Sequence, residues 1–89
     1  MPELARFYGI MIRMFVEAGE RHHRPHFHAV TPNGEAVFAI DDLAILAGTI
    51  PSRERRLLEA WAELHRAELF ENWARLQAGG TVVPIEPLR

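Results

Sequence analysis

Hydrophobic and polar residues alternate along the first half of the chain, which is the pattern of half-buried β-strands. Ile10, Ile12 and Met14 fall on one face of such a segment, and Arg13 falls on the other. Turn-forming residues separate the segments from one another over about residues 3–47. The pattern predicts an antiparallel meander of four or five strands. The predicted segments are Glu3–Phe7, Ile10–Phe15, His26–Val30, Glu35–Ile40 and Leu43–Ala47.

Asn33-Gly34 is the strongest short hairpin signal in the chain, because a type I′ turn needs positive φ at both central residues. We expect the strand after this turn to return antiparallel to His26–Val30. Pro25 restricts the residue before it to extended geometry, which places the start of that strand at His26.

The hydrophobic period changes to that of a helix over about residues 51–78, before Gly79-Gly80. A straight helix of this length would measure about 40 Å. A compact domain of this size has a diameter of roughly 30 Å, so we expect a bend or break around Leu64–Ala67. The alternative is a protruding helix whose apolar residues meet a partner.

These elements together predict a single α+β domain over residues 1–89, with the helical segment packed on one face of the meander. Residues 79–89 are too rich in proline for a central strand, but they are apolar enough to lie along the surface. The residues expected in the core are Ile12, Phe38, Leu57, Trp61, Leu64, and either Val37 or Ile40.

Composition narrows the classes of function. The chain has 89 residues, a net charge of −2 and no cysteine, which excludes disulfides, thiolate catalysis and cysteine-based zinc sites. The net charge does not indicate a nucleic-acid partner. No apolar run approaches the roughly 20 residues that span a bilayer, so we expect a cytoplasmic protein without a membrane segment.

Four of the five histidines lie within residues 22–28. In an extended chain His26 and His28 point to the same face, which suits two ligands of one divalent transition metal ion. His22 or His23, from the preceding loop, would supply a third ligand. Two other interpretations stay open: both imidazoles lie on the solvent face with Phe27 and Ala29 inward, or one is buried and holds the loop through a hydrogen bond.

The helical segment carries a second polar group. His65, Glu68 and Asn72 share one face, where the apolar stripe shifts. If this face packs over His26 and His28, then His26, His28, His65 and Glu68 would converge as catalytic residues in a general acid–base group. The alternative is a solvated helix face.

Three cations, Arg53, Arg55 and Arg56, crowd the first turn of the helix, where the helix dipole favours anions. They predict a contact with an anion or an acidic partner. A solvated helix end, balanced by nearby Glu54 and Glu59, is the alternative.

Several of these segments resemble the bacterial domain-of-unknown-function family numbered 4160, over nearly the whole chain. The family's loop reads H-x-P-P-H-F-H, and this chain matches it at His22 and at Pro25–His28 but has Arg24 in place of the first proline. The family has no established activity. The resemblance implies a small intracellular α+β domain, in a family whose members are suggested to form one half of toxin–antitoxin-like two-gene modules. The matching segments are Pro2, Arg6–Ile10, Pro25–His28, Trp61–Arg66, Asn72-Trp73 and Ile85–Leu88.

Two classes of function follow. The first is a small interaction module, either the antitoxin-like or the accessory member of a protein pair. It would bind a protein partner or a second copy through exposed helix surface, the sheet edge or the arginine-rich helix start. The second is a small histidine- or metal-dependent hydrolase of a phosphodiester, centred on His22, His26 and His28.

Overall fold

A computed structural model describes residues 3–16 and 24–89. Its five strands form one antiparallel sheet in the order β1-β2-β3-β4-β5, followed by two helices. The predicted α+β meander is therefore confirmed. The elements are β1 (Glu3–Phe7), β2 (Ile10–Arg13), β3 (His26–Thr31), β4 (Gly34–Ala39), β5 (Ile45–Gly48), α1 (Ser52–Leu64) and α2 (Arg66–Gln77).

Alternation along the strands gives the central part of the sheet one buried face. Ile12 is the cross-strand partner of Ala29, and both are buried. Phe27 is the partner of Phe38, and their stacked rings lie 5.7 Å apart. Because side chains alternate along a strand, His26 and His28 project to the opposite face.

The hairpin between β3 and β4 has the predicted pairing but a different turn. Thr31 pairs with Gly34, so the central residues are Pro32 and Asn33, one position earlier than predicted. Asn33 does not have positive φ, and the proline ring fixes a negative φ at Pro32, so the turn is not type I′. The hydroxyl of Thr31 donates to the Gly34 carbonyl oxygen and accepts from the Asn33 N–H, which holds the turn.

The helical half is broken, as expected. α1 ends at Leu64 and α2 begins at Arg66, with His65 between them at φ −118° and ψ 21°. The largest dimension of the molecule is 34 Å, shorter than an unbroken helix over residues 51–78 would be. Among the described residues, no helix has the length and apolar character that crossing a bilayer requires.

Trp61 on α1 joins the helices to the buried face of the sheet. It is 0% exposed, and its ring centroid lies 5.3 Å from that of Phe7 and 6.4 Å from that of Phe27. The expected core residues Ile12, Phe38, Ile40 and Trp61 are buried, whereas Val37 and Leu57 are half-buried.

Leu64 was wrongly predicted to be buried, since 73% of it is exposed. The buried residues of α1 are Leu58, Trp61 and Ala62. At 100° per residue, Leu64 lies about 110° from the centre of that face. Leu64 therefore does not face the sheet and stays exposed.

The C-terminal tail crosses the surface beside β1. The Ile85 N–H donates to the Leu4 carbonyl oxygen at 2.8 Å, and Ile85 itself is buried. The indole N–H of Trp61 donates to the Glu86 carbonyl oxygen at 2.8 Å. The tail therefore covers the outer edge of β1, which agrees with its predicted surface position.

Candidate functional site

His26 lies at the start of β3 and is almost completely buried. Its Nδ1 lies 2.8 Å from the carbonyl oxygen of Arg24, which can only accept, so the ring donates there. The imidazole also packs against Trp73 of α2, with ring centroids 5.1 Å apart. These contacts give His26 a structural role at the entry to the strand, in line with the interpretation of a buried histidine that holds the loop.

His28 lies two residues further along the same face, and its ring is 5.6 Å from that of His26. Its imidazole stacks on Phe15 at 4.6 Å, and its Nδ1 lies 3.6 Å from a carboxylate oxygen of Glu35. Arg13 is its cross-strand partner. An imidazole and a carboxylate thus lie close together on the face opposite the core, with Arg13 at the neighbouring position of β2.

His65 and Glu68 form a separate pair on the helices. The Nδ1 of His65 lies 2.6 Å from a carboxylate oxygen of Glu68, and its ring packs on Trp61 at 5.5 Å. The four predicted catalytic residues therefore occur as two pairs that contact different tryptophans. General acid–base chemistry by all four together stays a prediction.

Asn72, the third polar residue on the predicted helix face, is turned inward and is only 3% exposed. Its Nδ2 donates to the Val83 carbonyl oxygen at 3.0 Å, and its Oδ1 accepts from the Val83 N–H at 2.6 Å. It therefore holds the tail as a neighbouring strand would. The sequence signal was the interruption of an apolar stripe by a single amide.

The metal hypothesis rests on three histidines, of which His22 lies outside the described residues. Within residues 3–16 and 24–89, no group of three His, Asp or Glu side chains is arranged to hold a metal ion. His26 and His28 lie side by side, as two ligands of one ion would. A site for a divalent transition metal at His22, His26 and His28 stays a prediction.

The arginine-rich start of α1 is exposed, as the sequence indicates. Arg53 lies 3.9 Å from Glu54, and Arg55 lies 3.4 Å from Glu59. In the described part of the chain, Arg56 takes part in no ion pair. The first turn has no side-chain cap. This end of α1 therefore presents one uncompensated positive charge.

β5 immediately precedes these arginines and is the last strand of the sheet. Its side chains are mostly exposed, including 43% of Leu46. Gly48 has φ +74°, and a Cβ there would lie 2.2 Å from the Glu35 carbonyl oxygen, so only glycine lets the strand approach β4 this closely. The predicted meander already placed its fifth strand, Leu43–Ala47, last in the sheet, although the observed strand is Ile45–Gly48.

An acidic turn lies at the other end of β5. The guanidinium of Arg24 lies 2.8 Å from Asp41 and 3.0 Å from Asp42. The backbone N–H of Ala44 donates to Asp42 at 2.9 Å. This hydrogen bond, followed by the charge of Arg24, holds the pKa of Asp42 below its usual range. One cation between two carboxylates leaves this end with a net negative charge.

A family model described as Domain of unknown function (DUF4160) matches residues 9–74. The matched stretch includes β2–β5, α1 and most of α2. It also contains the histidines, the acidic turn and the arginines described above. No curated protein and no solved structure matches the chain.

Proposed function

The chain belongs to the DUF4160 family, and we propose that it is a small protein-interaction module that binds another polypeptide along the outer edge of β5. The observation that carries this proposal is the position of β5. It ends the sheet, its side chains are mostly exposed, and no other strand of the described residues pairs with its outer edge.

The physical basis is strand addition. A terminal strand presents a row of backbone N–H and C=O groups along one side, and an extended segment of another chain pairs with them. Side chains beside the ladder then supply specificity. Here Leu46 offers an apolar contact, and Arg56 lies a short distance along the chain at the start of α1.

This proposal includes the antitoxin-like or accessory role that the family resemblance implies. In that role the bound polypeptide is the product of the neighbouring gene in a two-gene module. Self-association through the same edge is the other form of the same function. Both forms use β5, so a change at β5 weakens either one.

The test uses Leu46→Lys in protein purified without a tag. Light scattering measures the mass of the chain alone and after mixing with the product of the adjacent gene. We expect association in at least one sample for the parent, and its loss in the variant because a lysine on the edge opposes pairing. Leu64→Lys, at an exposed leucine of α1, is the matched control. Association that Leu46→Lys leaves unchanged would contradict the proposal, as would a parent that associates in neither sample.

The cluster around His28 supports a second candidate, a small histidine-dependent hydrolase of phosphodiesters. The His28 imidazole lies beside Glu35, an arrangement suited to proton transfer, and Arg13 is the cross-strand partner of His28. The test is hydrolysis of bis(p-nitrophenyl) phosphate, with and without added Zn²⁺ or Mn²⁺. Activity that His28→Ala abolishes while the fold is retained would support this candidate, whereas absence of turnover in the parent under all conditions would exclude this chemistry.

A further inference from the structure

We propose that the polypeptide bound at the β5 edge is a second copy of this chain, paired antiparallel about a two-fold axis through the middle of the strand. This inference rests on the proposed use of β5 as an interaction edge. The two sheets would then join into one continuous sheet across the axis. What distinguishes a second copy from another protein is the arrangement of charge at the two ends of β5.

The end of β5 that comes first in the chain is acidic. Asp41 and Asp42 share the single guanidinium of Arg24, at 2.8 and 3.0 Å, which leaves one negative charge uncompensated. Both carboxylates are more than half exposed. They are therefore accessible to a cation on another molecule.

The other end of β5 is basic. Arg53 and Arg55 each lie near a glutamate of α1, but Arg56 has no ion pair in the described part of the chain. This end therefore has one positive charge uncompensated. The first turn of α1 also lacks a side-chain cap, and its free N–H groups favour a nearby carboxylate.

In an antiparallel dimer, the acidic end of β5 in each copy lies beside the basic end of β5 in the other copy, so the same contact forms twice. With the two-fold axis through Ala47, which then faces its own copy, Asp41 of one copy and Arg53 of the second are equally far from the axis along their chains. The acidic turn of each copy then faces the start of α1 in the other. Parallel pairing would place like charges side by side, which is unfavourable.

The strand itself suits pairing with its own sequence. Ile45–Gly48 is a short strand of 4 residues, but it contains neither a charged residue nor a proline to oppose pairing. In the antiparallel arrangement Ala47 lies opposite Ala47 of the second copy, and Leu46 lies opposite Gly48. A contact in which one patch meets the same patch is the kind that a two-fold dimer requires.

The test is a charge exchange between copies of the full chain. Arg53→Glu places a carboxylate against the acidic turn of an identical copy, and Asp41→Arg places a guanidinium against the arginines. Analytical ultracentrifugation measures the dissociation constant of the parent and of each variant. We expect the parent to dimerise and each variant to dissociate at least about tenfold more readily.

An equimolar mixture of the two variants gives the decisive result. In the mixed dimer, the carboxylate introduced at position 53 of one copy meets the guanidinium introduced at position 41 of the other, and the native aspartate and arginine meet at the opposite end. We expect dimers to return to about the parent level in the mixture, which also shows that both variants are folded. Arg75→Glu, on α2 away from the edge, is the control and should leave the constant unchanged.

Three results would overturn the inference: a parent that stays monomeric at every concentration, a dimer that both variants leave unchanged, or a mixture that does not re-form dimers. A monomeric parent that still binds the product of the adjacent gene, with Leu46→Lys abolishing that complex, would overturn the second copy while the proposed function stands.

Discussion

The two outer strands of the sheet, β1 and β5, differ in what lies beside them. The tail runs along β1, where the Ile85 N–H bonds to the Leu4 carbonyl oxygen and the isoleucine side chain is buried. No other strand in residues 3–16 and 24–89 pairs with the outer side of β5. One edge is therefore closed within the chain, and the other is available to another molecule.

The segment that lies along β1 has features that oppose pairing with a further strand. Pro84 and Pro87 flank the contact, and proline has no N–H to offer to a further strand. Trp61 and Asn72 anchor the same segment through hydrogen bonds to its backbone. Ile45–Gly48 has no such cover among the described residues, although it is similarly apolar. This contrast is the basis of the proposal that β5 binds another polypeptide.

The largest expected loss of stability comes from substituting Trp61, which holds the tail along the closed edge. Trp61→Ala removes the ring that contacts Phe7 and Phe27, as well as the indole bond to the tail. We expect the free energy of unfolding to fall by about 3–5 kcal/mol, measured by urea denaturation. Trp61→Phe, which keeps an aromatic ring but loses the indole N–H, should lower the free energy of unfolding by clearly less. A parent-like midpoint for Trp61→Ala would show that the tryptophan does not join the layers.

A smaller effect is expected from Asn72→Ala, which releases the tail from α2. The substitution leaves the backbone N–H and C=O of Val83 without their partners, so we expect a loss of about 1–3 kcal/mol. Hydrogen exchange at Ile85 should accelerate, because this amide is protected by the tail's contact with β1. Gln77→Ala, at an exposed position on the same helix, is the control. Unchanged exchange at Ile85 would mean that the tail is held without Asn72.

On the open edge, Leu46→Lys should barely change stability. The side chain is already largely in solvent, so we expect the unfolding free energy to change by less than about 0.5 kcal/mol at concentrations where the chain is monomeric. Association, in contrast, should be lost. A large destabilisation of the monomer would show that Leu46 belongs to the core and that the edge is less open than its exposure indicates.

The smallest effect concerns pH and the acidic turn. Because the folded state lowers the pKa of Asp42, this carboxylate stabilises the fold above its unfolded pKa, and the contribution is lost as the pH falls through the folded pKa. Asp42→Asn should therefore melt at a lower temperature than the parent at neutral pH, and the difference should vanish as the pH falls below the lowered pKa of Asp42. A difference that persists in acid would assign the effect to geometry rather than charge.

Much of the fold could be predicted from local patterns. The period-two alternation found the strands. The conflict between helix length and domain size predicted a bend or break around Leu64–Ala67, and the structure has it at His65. Leu64 could not be assigned correctly, because the direction in which α1 faces the sheet depends on contacts far away in the sequence. The hairpin turn was misplaced because Pro32 and the Thr31 hydroxyl together outweighed the Asn33-Gly34 signal.

Less of the candidate sites could be predicted from the sequence. Spacing correctly placed His26 beside His28, and helical period paired His65 with Glu68. Neither pattern could show that His26 is buried against Trp73, since that contact joins β3 to α2. The predicted meander placed the fifth strand last in the sheet, but the exposure of its side chains depends on where the helices pack.

The central claim, that β5 is the contact edge and β1 is closed, is tested most directly by amide hydrogen exchange with and without association. The exchange rates of Ile45–Gly48 and of Glu3–Phe7 are compared at low and high protein concentration, and with the product of the adjacent gene added. We predict that association slows exchange in β5 and leaves β1 unchanged. Slowing confined to β1 or to the helices, with β5 unchanged in the associated state, would contradict the account.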